Sequence, residues 1–256
     1  MRHITRSAQI IGSALLLAAA AGLAQAGPPS VARVFVVEVS PAQDHAFNDG
    51  IKGWEKCLRE HGARRETEAY DAESGGLGRY LFIDHFSAWA DMDHHDPAAK
   101  ACGLLFRTAV MPYMTGLSSA ISQLNAKDTY VAAGDSGPVP ILWVDSYRLR
   151  PGQADSFHDA LAKVAAAAAK AHWDEHFAGF DNFGAGQGGP DFVLVGANKS
   201  WADVGQDPSP SLKQLMQQTY GKSAAEANHR KFEAAIAEEW SDAWSYDKSL
   251  SYTPGR

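Results

Sequence analysis

The chain has 256 residues, a formal net charge of −7, a hydrophobic content of 45% and only two cysteines. An acidic surface with no basic stripe repels phosphate backbones, so nucleic acid is a poor partner. Cys57 and Cys102 are too few and too far apart for a zinc knuckle or a CxxC redox pair.

The first 26 residues read as an export signal. Arg2, His3 and Arg6 make a basic start, Ile10 to Leu23 an apolar run, and Ala24-Gln25-Ala26 a cleavage motif before Gly27. The apolar run is short for a membrane span, and no cysteine follows the cleavage motif to carry a lipid. The expectation is a periplasmic or secreted protein with no membrane anchor after cleavage. Without Arg2 and Arg6, 21 of the 23 basic residues remain against 30 acidic ones.

Residues 27–133 form the first structural half. Val34-Phe35-Val36-Val37-Glu38-Val39 is a β-branched run that reads as a strand. From about Asp44 to His61, Phe47, Ile51, Trp54 and Leu58 share one face of an amphipathic helix that Gly62 stops. A strand near Arg65 to Tyr70, a Ser74-Gly75-Gly76 turn and a strand from Arg79 to Phe86 follow. Ala98 to Leu124 reads as helix, broken near Pro112 and Gly116. Thr129-Tyr130-Val131 reads as a last short strand.

A turn-rich linker at 134–139 leads to the second half, 140–256. Here Ile141 to Leu149 is a strand, Asp155 to His172 an alanine-rich helix, and Phe177 to Phe183 a strand. The glycine turn Gly184 to Gly189 leads into a strand at Phe192. Ser223 with Glu226 suggests a capping box for a helix with Phe232, Ile236 and Trp240 on one face. Trp244 to Tyr252 reads as the closing strand.

The two halves repeat one another. Phe47, Ile51, Trp54 and Leu58 recur 110 positions later as Phe157, Leu161, Val164 and Ala168. Trp89-Ala90-Asp91 with Asp96-Pro97 recurs as Trp201-Ala202-Asp203 with Asp207-Pro208. A repeat of this length means two copies of one structural unit. The order β-α-β-β-α-β is the ferredoxin-like arrangement, whose bare sheet face a second copy can cover. The predicted fold is therefore α+β, with two tandem ferredoxin-like units whose antiparallel sheets pack into one single-chain barrel.

Paired strand–helix units with a tryptophan-bearing loop after the third strand resemble the dimeric α+β barrel superfamily. That superfamily includes the antibiotic-biosynthesis-monooxygenase-like and NIPSNAP-like domains. The resemblance spans about Ala32 to Tyr252 and is one of pattern, with no catalytic motif matched residue by residue. It implies a small-molecule site inside the barrel and, in some members, oxygenase or isomerase chemistry without a cofactor.

In this topology the end of the first helix lies beside the start of the second. Cys57 and Cys102 occupy those two ends, as a disulfide or as two buried thiols. An exported compartment permits the bridge.

Polar residues inside strands are the ligand-binding candidates: Glu38, Asp84, His85 and Asp145. Trp143, Asp145 and Tyr147 alternate along one strand face, an aromatic pair around a carboxylate. A buried carboxylate beside an imidazole would suit general acid–base work. A weaker metal reading gathers His61, Asp91, His94 and His95, because imidazole and carboxylate suit zinc, iron or manganese. His172 and His176 fall at i and i+4, but the glutamate between them is misplaced for a zincin. The duplicated tryptophans, Trp89 and Trp201, read as packing anchors. No metal or cofactor is called for by any recognised motif. The readings are a small-molecule-binding barrel, an oxygenase or isomerase of the same fold, or a packed structural module, and oligomeric state follows from none of them.

Overall fold

A computed structural model describes residues 30–131 and 138–255. The expected export signal at 1–26 and most of the expected linker at 134–139 lie outside the described residues. The first half runs β1 (Val31–Val39), α1 (Asp44–Glu60), β2 (Thr67–Ala72), β3 (Arg79–Phe86), α2 (Pro97–Ala101), α3 (Gly103–Ala109) and β4 (Met114–Leu124). The second runs β5 (Ile141–Leu149), α4 (Ala154–Ala171), β6 (Phe177–Phe183), β7 (Phe192–Asn198), α5 (Trp201–Val204), α6 (Leu212–Tyr220), α7 (Lys222–Ala235) and β8 (Ile236–Tyr246). The eight strands close into one antiparallel barrel in the order β1-β3-β2-β8-β5-β7-β6-β4.

Alternation along each strand divides the apolar residues between two sides. Tyr70, Leu81, Leu142 and Trp244 point inward and are buried, backed by half-buried Val34, Val36, Ile83, Val144 and Val195. On the outer side, Val37, Tyr80 and Phe82 pack under Phe47 and Ile51 of α1. The second half repeats this with Tyr147, Phe177 and Phe192 under Phe157 and Leu161 of α4. The barrel wall is thus sandwiched between a lumen and two helical layers.

Each half has the strand order fourth-first-third-second. The edge ladder of β1 shifts register between Glu38 and Val39, and that of β5 between Arg148 and Leu149, 110 positions later. The tails after β4 and β8 also correspond, and each crosses to the other half. Asn125 N–H donates to Gly179 O, and Gly179 N–H to Thr129 Oγ1. Likewise Asp247 N–H donates to Ala69 O, and Ala69 N–H to Ser251 Oγ. Tyr130 then bridges Phe177, as Tyr252 bridges Thr67. These reciprocal tails stitch the halves together.

In the Trp-Ala-Asp repeat the acid closes the loop on itself. Asp91 Oδ2 accepts from Ser87 and Ala88 N–H, both at 3.0 Å, and Asp203 Oδ2 accepts from Lys199 N–H at 3.0 Å. Trp89 and Trp201 are exposed, yet Trp89 ties its loop to the sheet: its Nε1–H donates to Gln123 Oε1 of β4 at 3.2 Å, and its ring lies edge-on against Phe183 of the other half.

Three elements differ from the sequence expectations. Residues 114–124, read as helix, form β4. Pro112 cannot continue the helix, and the segment satisfies its backbone in ladders to β1 and β6. The expected last strand at Thr129–Val131 is a single bridge. In the second half, helix α7 stops at Ala235, so Ile236 and Trp240 belong to β8. The capping box is made by Ser211 and Gln214 at the start of α6, not by Ser223 and Glu226, because α7 follows Gly221 directly.

Candidate functional site

The six ligand-binding candidates are dispersed. Glu38 shares the inward parity of Val34 and Val36, but His85 pairs with Ala32 at the opposite end of β1. The rise of a strand separates them by about 20 Å. Trp143, Asp145 and Tyr147 do share a face, and it is the outer one. Trp143 is exposed and its Nε1–H donates to Asp145 Oδ1 at 3.0 Å. Tyr147 is buried among Phe157, Phe192 and Phe232. Asp84 also points outward, accepting from Thr67 Oγ1 at 2.7 Å with Arg65 at 3.6 Å. Burial raises its pKa despite those partners. A one-residue change of parity moves a side chain across the sheet, so the expected lumen cluster does not form.

His85 has an inward partnership of its own. Its Nε2 lies 3.2 Å from Glu68 Oε2, the same oxygen that accepts from the Tyr70 hydroxyl at 3.0 Å. Burial pushes the Tyr70 phenol well above its usual range. Farther round the ring, inward-facing Ala120, Phe180, Val193 and Val195 are only half-buried, so the lumen is not filled on that side.

The metal candidates do not converge. Asp91 closes its own turn, His94 and His95 are exposed, and Asp96 caps α2 through Ala98 N–H. His61 instead lies beside Cys57 and Cys102, which are joined as a disulfide. His172 adopts the left-handed conformation that ends α4 (φ 50°), while His176 stacks on Tyr130. The two histidines therefore share no helical face.

A different imidazole makes a close polar cluster. His158, in the second turn of α4, donates from Nδ1 to Asp128 Oδ2 at 2.5 Å, and its Nε2 lies 3.5 Å from Asp181 Oδ1. Asp128 is fully buried, and its second oxygen has no partner among the described residues. Gly179 makes room for it, since a Cβ there would stand 2.8 Å from the Asp128 carbonyl oxygen. Asn125 Nδ2 donates to Asp181 Oδ2 at 3.0 Å. The Asp128 hydrogen bond raises the pKa of His158 against the opposing effect of burial. Burial likewise raises that of Asp181, opposed by the His158 charge. A surface cavity of about 420 Å³ opens onto the imidazole, bordered by Asn125, Lys127, Asp155 and Asp159. A buried carboxylate on one ring nitrogen and a second carboxylate near the other, beside a cavity, is an arrangement that orients an imidazole for acid–base work.

The first half carries a plainer version. Asn48 corresponds to His158, Asp71 to Asp181 and Leu250 to Asp128. Leu250 sits in the apolar cluster of Phe47 and Ala69. Neither His158 nor Asp128 stands out in the sequence, because a helix, a tail loop and a strand bring them together only in the folded chain. One signal was present: the 110-residue repeat pairs Asn48 with His158, a chemical difference in otherwise matching helices.

No protein-family model and no curated protein matches this chain. Solved structures match over most of its length. An anthrone oxidase-like protein superposes with a TM-score of 0.55 at 12% identity, covering 91% of this chain and 96% of its own. A proposed monooxygenase from Lactobacillus acidophilus NCFM gives 0.51 at 7% identity, covering 88% and 96%. Chlorite dismutase from Candidatus Nitrospira defluvii in complex with imidazole gives 0.52 at 11%, covering 86% and 92%. These neighbours are of the dimeric α+β barrel superfamily, and the likeness at such identities is one of fold.

Proposed function

We propose that this is an exported small-molecule enzyme of the oxygenase-like α+β barrels, with His158 as its proton-transfer residue. The observation that supports this is the His158–Asp128–Asp181 cluster at a solvent-accessible cavity, whose imidazole and buried carboxylate are replaced by Asn48 and Leu250 in the other half. A substrate O–H or acidic C–H entering the cavity would reach the imidazole and take the place of Asp181 at Nε2, and Asp128 would stabilise the imidazolium formed on proton transfer. The carbanion or enolate left behind is the species that molecular oxygen oxidises in a cofactor-independent oxygenation. The monooxygenase and anthrone oxidase names among the neighbours support that class by analogy of fold alone. The chain itself reads as a tandem duplication, supported by the common 110-residue spacing of helix faces and register shifts.

Exchange of substrate hydrogen for deuterium in D2O tests the proposal without oxygen present. Polycyclic phenols and 1,3-diketones form the panel. Catalysed exchange in the wild type, lost in a His158→Asn/Asp128→Leu variant, supports it. Exchange unchanged in that variant, or absent for every compound, overturns it.

A second reading keeps the ligand inside the lumen. It is supported by the half-buried inner wall at Ala120, Phe180, Val193 and Val195 and by the Glu68–His85–Tyr70 cluster. An apolar or aromatic molecule retained through purification, and lost on Phe180→Trp, would favour binding without catalysis.

A further inference from the structure

We propose that Cys57, His61 and Cys102 form a binding site for a divalent ion of the zinc class when the disulfide is reduced. Cys57 lies in the last turn of α1, His61 caps that helix, and Cys102 joins α2 to α3. The His61 Nδ1 atom is 3.7 Å from Cys57 Sγ and 3.9 Å from Cys102 Sγ. Zinc–sulfur bonds of about 2.3 Å and zinc–nitrogen bonds of about 2.0 Å imply a tetrahedral S···N edge of about 3.5 Å. The imidazole therefore already stands at ligand spacing from both sulfurs. The cysteine Cα atoms are 5.9 Å apart. A bridged pair typically has Cβ atoms about 3.8 Å apart, close to the S···S edge of such a site. Rotation about Cα–Cβ, without backbone movement, can then open the sulfurs around an ion. Among the described residues, no other three His, Cys, Asp or Glu side chains bring ligand atoms this close.

Burial gives the site a direction. Cys102 is fully buried, Cys57 half-buried and His61 exposed, so two sulfurs form the floor and the fourth position faces water. Three protein ligands with one open position are the arrangement of an accessible zinc centre. A dithiol reductant supplies two electrons and two protons to the bridge, leaving two thiols and its own disulfide. The ion then displaces both thiol protons. The Nδ1 proton, now shared with Cys57 O at 3.0 Å, moves to Nε2 to free the nitrogen lone pair. While the disulfide stands, its sulfurs are committed to each other, so ion binding reports the redox state of the pair.

Cobalt(II) is the probe. The full chain, reduced with a dithiol that is then removed under argon, is titrated with cobalt and afterwards with zinc. Thiolate-to-cobalt absorption at one ion per chain, absent in the oxidised protein and bleached by zinc, is expected. His61→Gln should weaken cobalt binding at least tenfold. Absence of the bands, equal binding to the oxidised chain, or unchanged affinity in His61→Gln overturns the proposal. Far-UV circular dichroism is recorded alongside. If reduction loosens the helices, zinc should restore their signal in the wild type, and failure to do so also overturns it.

Discussion

Asp128 and Leu250 occupy corresponding places in the two halves. Each lies three residues into a crossing tail, its N–H donating back to Asn125 O or Asp247 O. The tails then place a carboxylate against His158 in one half and an isobutyl group in the apolar cluster of the other. The molecule therefore contains a folded template in which Asn48 and Leu250 stand where its polar site has His158 and Asp128.

That template predicts a double-mutant result. His158→Asn alone strands a buried carboxylate and should cost about 3 kcal/mol. Asp128→Leu alone leaves the imidazole beside a new apolar group and should also destabilise. The double variant copies the arrangement at Asn48 and Leu250 and should recover most of the loss, giving a coupling energy above about 1 kcal/mol. Urea midpoints for the four proteins measure it, and simple additivity would contradict the correspondence.

The same pair sets a pH dependence. The folded pKa of His158 is raised by Asp128. Its stabilisation is complete below the unfolded value of about 6.5 and is lost as pH rises through the folded value. NMR titration of the imidazole should show a raised pKa that falls in Asp128→Asn. Stability of His158→Asn relative to the wild type should improve as pH increases across that window.

Glu55 gives a second pH dependence. Burial lifts its pKa to about 7, outweighing Arg59 at 3.5 Å. The raised value means its neutral form suits the fold, with the benefit complete below about 4.5 and lost through pH 7. Ionising it costs on the order of 2 kcal/mol once the Arg59 attraction and solvent screening are allowed for. Glu55→Gln should match the wild type at pH 4 and melt higher at pH 9.

Two glycines of α1 should respond in opposite directions. A Cβ at Gly50 would stand 2.0 Å from Ala109 O of α3, whereas one at Gly53 would meet nothing within 4 Å. Gly53→Ala should stabilise by about 0.5–1 kcal/mol through helix propensity. Gly50→Ala should force the two helices apart and lower the melting temperature.

The disulfide closes a loop spanning a sequence separation of 45 residues. A Cys57→Ser/Cys102→Ser variant should lose roughly 3–4 kcal/mol in denaturant unfolding. A loss well under 1 kcal/mol would mean that the unfolded chain is already compact around these helices.

Periodicity alone made several elements legible. β3, β5 and β6 run as read, because their apolar and aromatic runs end in turn residues that permit no other boundary. The faces of α1 and α4 were likewise plain, since spacing on a helix fixes which side chains meet a sheet. Spacing could not say which side of a strand faces the lumen, as both sides of these strands are covered or half-covered. That is why Trp143, Asp145 and Tyr147 share the face that their alternation predicts, but on the outer side of the wall rather than in the lumen. Residues 114–124 became strand because β1 and β6 offered their backbone partners, a condition set by elements distant in the chain. The His158–Asp128–Asp181 cluster was decided by tertiary structure alone. Its members come from a helix, a crossing tail and a strand, and only closure of the barrel removes the carboxylate from water and binds it to the imidazole.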